Sequence, residues 1–231
     1  MKAFLLAGGL GTRLRPRFAD LPKPLAPLGG RPFLERQIEW LASHGFRDFV
    51  VCAGYGADAM RGALGDGTAL GVRLAWSVEE EPLGTGGALR FAAAHLEGPA
   101  LVVNGDTLCD ADPWVLERAR WEGAALGAVA LFEVADARAR GRVECAPGGR
   151  VARFVEKDPE WNGPAWVNGG LYAFSPVLWR RLPAGVSSLE RDTLAALAAE
   201  GRLEGVRSPG TFWDIGTPED WARAEAHFGA H

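Results

Sequence analysis

The sequence predicts a single α/β domain built around a mixed β-sheet. Four short apolar runs in the first half are typical of buried strands: 2–7, 49–53, 72–78 and 100–103. Three segments with helical spacing lie between them: 32–44, 57–64 and 86–96. This alternation of strands and helices indicates parallel strands joined by crossover helices.

The second half of the chain is predicted to extend the same sheet. Its β-rich segments are separated by short turns, with a hairpin signal at 147–149: 125–134, 142–145, 151–156 and 166–174. Two further helices are predicted, over 188–199 and 218–227. No long Pro-, Gly- or Ser-rich segment separates the halves, so we expect one domain over 1–231.

The composition argues against several classes of protein. The 231 residues carry a formal net charge of −4, which does not suit a non-specific nucleic-acid binder. No apolar run approaches the roughly 20 residues of a membrane span. The three cysteines form no C-x-x-C pair and the four histidines form no metal-like cluster. These features together indicate a protein of the reducing cytoplasm.

A glycine-rich loop follows the first strand, in the segment LAGGLGTRLRP at 6–16. Glycines there let backbone N–H groups approach a phosphate or a base edge closely. The loop lacks the Gly-Lys-Ser/Thr of a Walker A motif, and Leu14 stands where the GxGxxG fingerprint needs its third glycine. A structural turn is the alternative, but Arg13 favours a phosphate site because its guanidinium can clamp phosphate oxygens.

Two aspartates and one lysine are further candidates for the chemistry. Asp106 follows a predicted strand at the carboxyl edge of the sheet, where a carboxylate can hold Mg²⁺ that bridges substrate phosphates; an Asx-turn is the alternative. Asp214 is the second carboxylate, since helix capping explains the neighbouring Thr217 but not Asp214. Lys23 is one of only three lysines in the chain. A required point charge and a solvated loop lysine are both interpretations of it.

Together these segments resemble the sugar-phosphate nucleotidyltransferases. Five blocks carry the resemblance, in order: LAGGLGTRLRP at 6–16 with PKPL at 22–25, PLGTGGAL at 82–89, NGD at 104–106, FVEK at 154–157 with VNGGLY at 167–172, and WDIGTPED at 213–220. The resemblance implies a three-layer α/β/α sandwich with a mostly parallel, Rossmann-like mixed central sheet. It also implies transfer of a nucleotidyl group from an NTP to a sugar 1-phosphate, with Mg²⁺ as cofactor and pyrophosphate as the second product.

Within that family, the segments at 21–41, 187–192 and 214–224 are most similar to the D-glycero-D-manno-heptose 1-phosphate guanylyltransferases. This similarity implies GTP and a heptose or hexose 1-phosphate as substrates. N-acetylmuramate 1-phosphate uridylyltransferases and mannose 1-phosphate guanylyltransferases share much of the pattern and stay as alternatives. A glycosyltransferase with an NDP-sugar donor is a further alternative, through the D-x-D sequence at 110–112, but it gives the glycine-rich loop and Lys23 no role.

The resemblance implies a role for each site residue. Catalysis is assigned to Arg13, on the β- and γ-phosphates, and to Lys23, near the α-phosphate. Mg²⁺ is assigned to Asp106 and Asp214. The residues assigned to the nucleotide are Ala7, Gly8, Gly9, Gly11, Thr12, Arg13, Glu81, Gly86 and Asn104. The residues assigned to the sugar phosphate are Gly141, Glu156, Lys157 and Asn168.

The nucleotide-binding part is expected over 1–110 and the sugar-phosphate part over 111–231. Neither a nucleic acid nor a membrane is expected as a partner, and a homo-oligomer is compatible with the sequence.

Glu81 gives a physical reason for guanine, because a carboxylate accepts hydrogen bonds from both N1–H and the exocyclic amine. Adenine presents a ring-nitrogen acceptor there, and uracil a single N–H. Glu79, Glu80 or a backbone carbonyl could recognise the base in the same way, so that choice stays open.

Overall fold

The computed structural model describes residues 1–14, 17–18, 21–138, 140–155 and 159–229. The strands are β1 Lys2–Leu6, β2 Pro27–Leu28, β3 Arg31–Pro32, β4 Asp48–Ala53, β5 Arg73–Val78, β6 Ala100–Asn104, β7 Thr107–Cys109, β8 Gly127–Val134, β9 Arg142–Cys145, β10 Val151–Val155, β11 Ala165–Phe174, β12 Leu203–Ser208 and β13 Phe212–Asp214. The α-helices are α1 Phe33–Ser43, α2 Ala57–Leu64, α3 Gly84–Phe91, α4 Pro113–Glu122, α5 Pro176–Trp179, α6 Ala195–Ala199 and α7 Pro218–Phe228. A π-helix, Leu189–Leu194, runs directly into α6.

The central sheet is mixed, as predicted. Its main path runs β5-β4-β1-β6-β11-β8-β12, and the β9–β10 hairpin pairs alongside the first part of β11. β1 lies between β4 and β6, and all three run parallel. β11 is antiparallel to β6 on one side and to β8 on the other. The first half of the chain therefore supplies the parallel part, and β11 joins the second half to it.

Helices cover both faces of this sheet because the side chains of β1 alternate between two apolar layers. Ala3 and Leu5 pack with the buried residues of α1 and α2 on one face. Phe4 packs on the other face with residues of α3, α5 and the π-helix, and its ring lies 4.6 Å from that of Trp179. All three β1 residues are completely buried. The architecture is the three-layer α/β/α sandwich that the sequence predicted.

The register of the parallel strands brings three strand ends together at the carboxyl edge of the sheet. Leu6 is opposite Cys52 of β4 and Asn104 of β6. The backbone N–H of Gly105 donates to the Leu6 carbonyl at 3.0 Å. The glycine-rich loop and the Asn104-Gly105-Asp106 turn therefore leave the sheet side by side.

The C-terminal part of the chain is tied to the glycine-rich loop by a third apolar cluster. Leu14 packs there with Ile215 and Trp221, all at most 7% exposed. The Trp221 indole Nε1 donates to the Pro27 carbonyl at 2.8 Å. β13 pairs antiparallel with β7, and this register sets Asp214 opposite Thr107. Residues more than a hundred positions apart in sequence thus meet at one edge of the sheet.

The predicted strands and helices are present, with shifts at their ends, and the structure adds further elements. The helix predicted over 86–96 begins at Gly84, and α3 ends at Phe91, where a 3₁₀ turn continues to His95. The helix predicted over 188–199 is a π-helix for its first six residues. Five strands were not predicted: β2, β3, β7, β12 and β13. In the described part of the chain, no helix is both long enough and apolar enough to span a bilayer.

Candidate active site

Two adjoining cavities open at the carboxyl edge of the sheet. The smaller, of about 530 Å³, is bounded by the loop 6–13, Lys23, Glu79 and the turn at 104–106. The larger, of about 1050 Å³, is bounded by the loop around Arg140, by β11 and by the start of α7. Arg13 and Glu190 line both cavities. Two compartments that share a wall suit a reaction between two substrates.

Two glycines of the loop lie close to side chains that line the same cavity, and one of them has a positive φ. A side chain at Gly8 would stand 2.9 Å from the Glu79 carboxylate. Gly11 has φ +60°, and a side chain there would stand 2.8 Å from the Cβ of Lys23. At Gly9, by contrast, no protein atom lies within 4 Å of the position a Cβ would take. The positive φ and the packing against Lys23 therefore explain Gly11. Gly8 is crowded only by the end of the Glu79 side chain, and Gly9 borders open space in the smaller cavity.

Arg13 lies where the two cavities meet. A side chain at Gly216 would stand 3.5 Å from the Arg13 guanidinium and 2.7 Å from the Asp214 carboxylate, which places the two groups next to each other. Among the described residues, no hydrogen bond or ion pair of the Arg13 side chain is found. A guanidinium without an internal partner in a cleft is suited to bind an anion.

Lys23, Asp106 and Asp214 form a charged cluster between the cavities. Lys23 Nζ donates to Asp106 Oδ2 at 2.7 Å, and only 12% of the lysine side chain is exposed. Burial raises the pKa of Asp214, and the charge of Asp106 raises it further, against the opposing effects of Lys23 and Arg140. The two carboxylates are therefore close enough to repel each other. The sequence predicted both aspartates as a pair, and the structure brings them together.

The Asn104-Gly105-Asp106 turn is held by a residue that the sequence analysis did not single out. Gln37 of α1 is completely buried, and its Nε2 donates to the carbonyls of Asn104 (2.8 Å) and Thr107 (2.6 Å). These two carbonyls flank Asp106, so Gln37 fixes the turn that carries the carboxylate. One polar residue on the apolar face of α1, between Leu34 and Ile38, was the signal available in the sequence.

The carboxylate that lines the smaller cavity is Glu79, not Glu81. Glu81 is exposed and lies outside the lining of both cavities. Glu79 directly follows β5, and its Oε2 is buried without a hydrogen-bond partner. Burial raises the pKa of Glu79, although a hydrogen bond from the Leu83 backbone N–H opposes the shift. Of the three glutamates at 79–81, among which the sequence left the choice open, Glu79 is the one that lines the smaller cavity.

Gly86 also differs from its predicted role as a nucleotide contact. It is buried and lies outside the lining of the smaller cavity, whereas its neighbours Gly84 and Thr85 line it. A side chain at Gly86 would stand 2.7 Å from Ser187 Oγ, and its N–H donates to the Ser187 carbonyl at 2.9 Å. Gly86 therefore permits close packing of the chain around 187 on α3.

The predicted sugar-phosphate residues are only partly described. Glu156 and Lys157 lie outside the described residues. Gly141 and Asn168 both line the larger cavity. The Asn168 side chain already donates to the Tyr172 hydroxyl at 2.7 Å and accepts from the Gly170 N–H at 2.9 Å. Asn168 is thus held in place by the protein itself.

The D-x-D sequence at 110–112 has structural roles. The Asp112 side chain caps α4 by accepting from the Trp114 N–H at 2.9 Å. Asp110 Oδ2 accepts from the Thr211 N–H at 3.1 Å, where β13 follows. Neither residue lines either cavity. The feature that favoured a glycosyltransferase is therefore explained by local folding.

Known proteins are similar to this chain over nearly its whole length. The family model described as Nucleotidyl transferase matches residues 2–230. The chain is 36% identical over 227 residues to the mannose-1-phosphate guanyltransferase of Aspergillus fumigatus, covering 96% of this chain and 62% of that protein. It is 36% identical over 230 residues to the mannose-1-phosphate guanylyltransferase of Mycobacterium tuberculosis, covering 97% of this chain and 63% of that protein. The chain thus spans a little over three fifths of the length of these curated relatives.

Solved structures share the fold over nearly the whole chain. HddC from Yersinia pseudotuberculosis, complexed with GMP-PN, superimposes with a TM-score of 0.84 at 30% identity, covering 98% of this chain and 99% of that one. A putative glucose-1-phosphate thymidylyltransferase from Bacillus anthracis superimposes with a TM-score of 0.87 at 22% identity, covering 100% of this chain and 96% of that one, and supports the fold alone.

Proposed function

Because this chain belongs to the nucleotidyl transferase family, we propose that it transfers a nucleotidyl group from an NTP, preferentially GTP, to a sugar 1-phosphate. The observation that carries the proposal is the charged cluster of Lys23, Asp106 and Asp214, set between two cavities that Arg13 joins. Two polyanionic substrates need cations and carboxylate-held metal where they meet, and this is where the chain provides them.

The smaller cavity takes the nucleotide in this proposal. Its wall contains the backbone of 7–12 and Asn104, as the sequence assignments require. Gly9 supports close approach of the nucleotide, since no protein atom accounts for a glycine at that position. The larger cavity takes the sugar 1-phosphate, with Gly141 and Asn168 in its wall. Since Glu190 and Gly216 also line the smaller cavity, the division at about 110 does not separate the two subsites strictly.

The reaction needs positioning and charge neutralisation rather than a covalent nucleophile. An oxygen of the sugar phosphate forms a bond to the α-phosphorus of the NTP, and the bond from that phosphorus to the bridging oxygen breaks. Pyrophosphate leaves with the electron pair. Arg13 and Lys23 stabilise the negative charge that is distributed over the phosphate oxygens in the transition state. The 3₁₀ turn Lys23–Leu25 and the hydrogen bond to Asp106 hold the Lys23 ammonium in place before substrate binds.

The residues present fit a Mg²⁺ ion. Asp106 and Asp214 supply two hard oxygen donors. Burial raises the pKa of Asp214 and the charge of Asp106 raises it further, so a cation between the two carboxylates would be stabilised. Mg²⁺ in phosphoryl-transfer sites is commonly bound by one or two carboxylates together with substrate phosphates. Asp106 and Asp214 would hold the ion, which would neutralise charge on the NTP phosphates when bound.

Glu79 supports a guanine base. Its buried Oε2 has no hydrogen-bond partner, and guanine offers two donors, N1–H and the exocyclic amine, on one edge. The HddC structure contains a guanine nucleotide, and the two curated relatives described above are named as guanylyl- or guanyltransferases.

We also propose a cytoplasmic location, which the free state of Cys52, Cys109 and Cys145 supports.

The substitution Glu79→Gln is expected to reduce the preference for GTP over ATP by roughly 1–3 kcal/mol, because an amide cannot accept from both guanine donors as a carboxylate does. The ratio of kcat/KM for the two nucleotides measures this. Glu81→Gln is the matched control and should leave the ratio unchanged, since Glu81 is exposed outside the cavity. Equal effects of the two substitutions would contradict the role of Glu79.

The same substitution should stabilise the free protein at neutral pH. The folded-state pKa of Glu79 is raised by burial, so its charge destabilises the fold once the pH exceeds the unfolded pKa. The gain in Tm of Glu79→Gln should therefore be present at neutral pH, shrink as the pH falls through the raised folded-state pKa, and vanish below the unfolded pKa of a glutamate. Thermal unfolding of both proteins across that pH range checks the sign.

The proposed reaction is tested by pairing GTP, ATP, UTP and dTTP with the 1-phosphates of heptose, mannose, glucose and N-acetylmuramate. Release of pyrophosphate is measured for each pair, and GTP with one of these sugars should be fastest. A preference for UTP or dTTP over GTP by about tenfold would overturn the choice of guanine and leave nucleotidyl transfer in place. No pyrophosphate from any pair would overturn nucleotidyl transfer itself.

A further inference from the structure

The segment before the π-helix is docked on α3 through glycines. Gly84 has φ +73°, and a side chain there would stand 2.5 Å from the Ser187 carbonyl oxygen. A side chain at Gly87 would stand 2.5 Å from the Gly185 carbonyl oxygen, and one at Gly86 would stand 2.7 Å from Ser187 Oγ and 3.2 Å from the Leu189 backbone nitrogen. Any Cβ at these positions would push the segment away. The glycines of the PLGTGG block therefore serve to bring residues 185–190 against the smaller cavity.

This docking delivers Glu190 to the wall shared by the two cavities. Glu190 lies in the first turn of the π-helix Leu189–Leu194, and π-helical turns occur often at functional sites. Its Oε2 accepts from Thr85 Oγ1 at 2.9 Å and from Ser188 Oγ at 3.0 Å. Thr85 Oγ1 in turn accepts from the Leu189 N–H at 2.8 Å. Two hydroxyl groups thus fix one carboxylate oxygen of a half-buried side chain.

The other carboxylate oxygen is left as an acceptor. No donor to Glu190 Oε1 and no ion pair of Glu190 is found among the residues that the structure describes. A carboxylate beside two polyanionic substrates repels them and weakens their binding. A hydrogen bond donated to it by a neutral group of a substrate offsets this repulsion. Phosphate oxygens offer no such donor, whereas sugar hydroxyls do. Apart from the guanine N–H groups, which the proposed function assigns to Glu79, the donors of both proposed substrates are the hydroxyls of the ribose and of the sugar phosphate.

We propose that Glu190 is a substrate-binding residue that accepts a hydrogen bond from a sugar hydroxyl at the junction of the two cavities. This rests on the proposed function, because the hydroxyl belongs to the ribose of the NTP or to the sugar 1-phosphate. Thr85 and Ser188 act as positioning residues that hold the carboxylate in place. The role also accounts for the SSLERD segment at 187–192, which the catalytic cluster does not use.

The test combines Glu190→Gln with substrates that lack single hydroxyls. With the parent substrates, Glu190→Gln should lower kcat/KM roughly 10- to 100-fold, the range for a hydrogen bond to a charged group. With the analogue that lacks the bound hydroxyl, wild type and variant should differ by less than about threefold, since the contact is already absent. Coupling to 2′-deoxy or 3′-deoxy GTP identifies the ribose as the source. Coupling to a monodeoxy sugar 1-phosphate identifies the acceptor sugar.

Asp192→Asn is the matched control in the same π-helix. Asp192 Oδ2 accepts from the Ser188 N–H at 2.7 Å, so this change disturbs the helix start without removing the Glu190 carboxylate. Its losses should be the same for every analogue. Equal losses of Glu190→Gln with the parent and with all analogues would overturn the proposal, because a merely structural role affects all substrates alike.

Two further measurements separate the proposal from other failures. If Glu190→Gln does not fold, Thr85→Val replaces it, because removal of the positioning hydroxyl should give a smaller loss of kcat/KM with the same dependence on the analogue.

If the wild type releases no pyrophosphate, the proposed reaction fails by itself. The same cycles are then measured on binding, by calorimetric titration of GTP, mannose 1-phosphate and their deoxy analogues. Additive binding losses would overturn the role of Glu190, and coupled ones would support it.

Discussion

Replacing Asp106 by Asn should lower kcat by at least about 100-fold while leaving the fold intact. Asp106 contributes one of the two carboxylates that would hold Mg²⁺, and its Oδ2 also accepts from the Lys23 ammonium at 2.7 Å. An amide in the same place binds a hard cation more weakly and leaves Lys23 without its anionic partner. Steady-state kinetics at saturating Mg²⁺ measure the loss, and thermal unfolding checks that the variant is folded.

Asp110→Asn is the control for this prediction. Asp110 follows β7 directly, only four positions from Asp106, but its carboxylate accepts from the Thr211 N–H and lies outside both cavities. Activity should stay within about twofold of wild type, because any effect on stability is local. Near-normal turnover of Asp106→Asn would remove Asp106 from the metal site. A large loss in Asp110→Asn alone would instead favour a D-x-D metal site and the glycosyltransferase alternative.

The sequence predicted the cluster because its members lie where local patterns are strongest. Asp106 follows an apolar strand, and the carboxyl ends of parallel strands share one edge, so its place in the cleft could be inferred from the strand alone. Asp214 was predicted by elimination, since capping explained Thr217, whose side chain does accept from the Asp220 N–H at 3.1 Å. The contact between Asp106 and Asp214 depends on the pairing of β13 with β7, and the sequence predicted neither strand.

Other features of the site depend on contacts between distant segments. Glu79 and Glu81 have the same side chain and differ only in where the chain turns after β5, so a run of three glutamates could not identify the inward-facing one. The family resemblance assigned Gly86 to the nucleotide, but a glycine also lets another segment of the chain approach closely. In this structure that segment is 185–190, a hundred residues away. Gln37 is on an apolar helix face, where its partners are two backbone carbonyls that no sequence pattern reveals.

Lys23→Met should lower kcat by roughly 10²–10³ and change KM for the NTP by much less. Methionine keeps the aliphatic stem that packs beneath Gly11, so the loop should retain its shape. The ammonium, by contrast, is a preorganised cation in a cluster between the two cavities, and its stabilisation is largest when charge spreads over the transferred phosphate. A change in KM alone would make Lys23 a nucleotide-binding residue without a catalytic role.

Lys2→Met separates this effect from the general loss of a lysine. Lys2 is at the amino end of β1, at the opposite edge of the sheet, where it pairs with Glu97 at 2.8 Å. Its removal should leave kcat unchanged.

Lys23→Met should also lower Tm at neutral pH, because Asp106 and Asp214 then face each other with one cation fewer and the pKa of Asp214 rises further. Protonation of a carboxyl whose folded pKa is raised restores stability to the protein, so this loss of Tm should diminish as the pH falls. The loss of kcat should persist, because the missing ammonium is not restored.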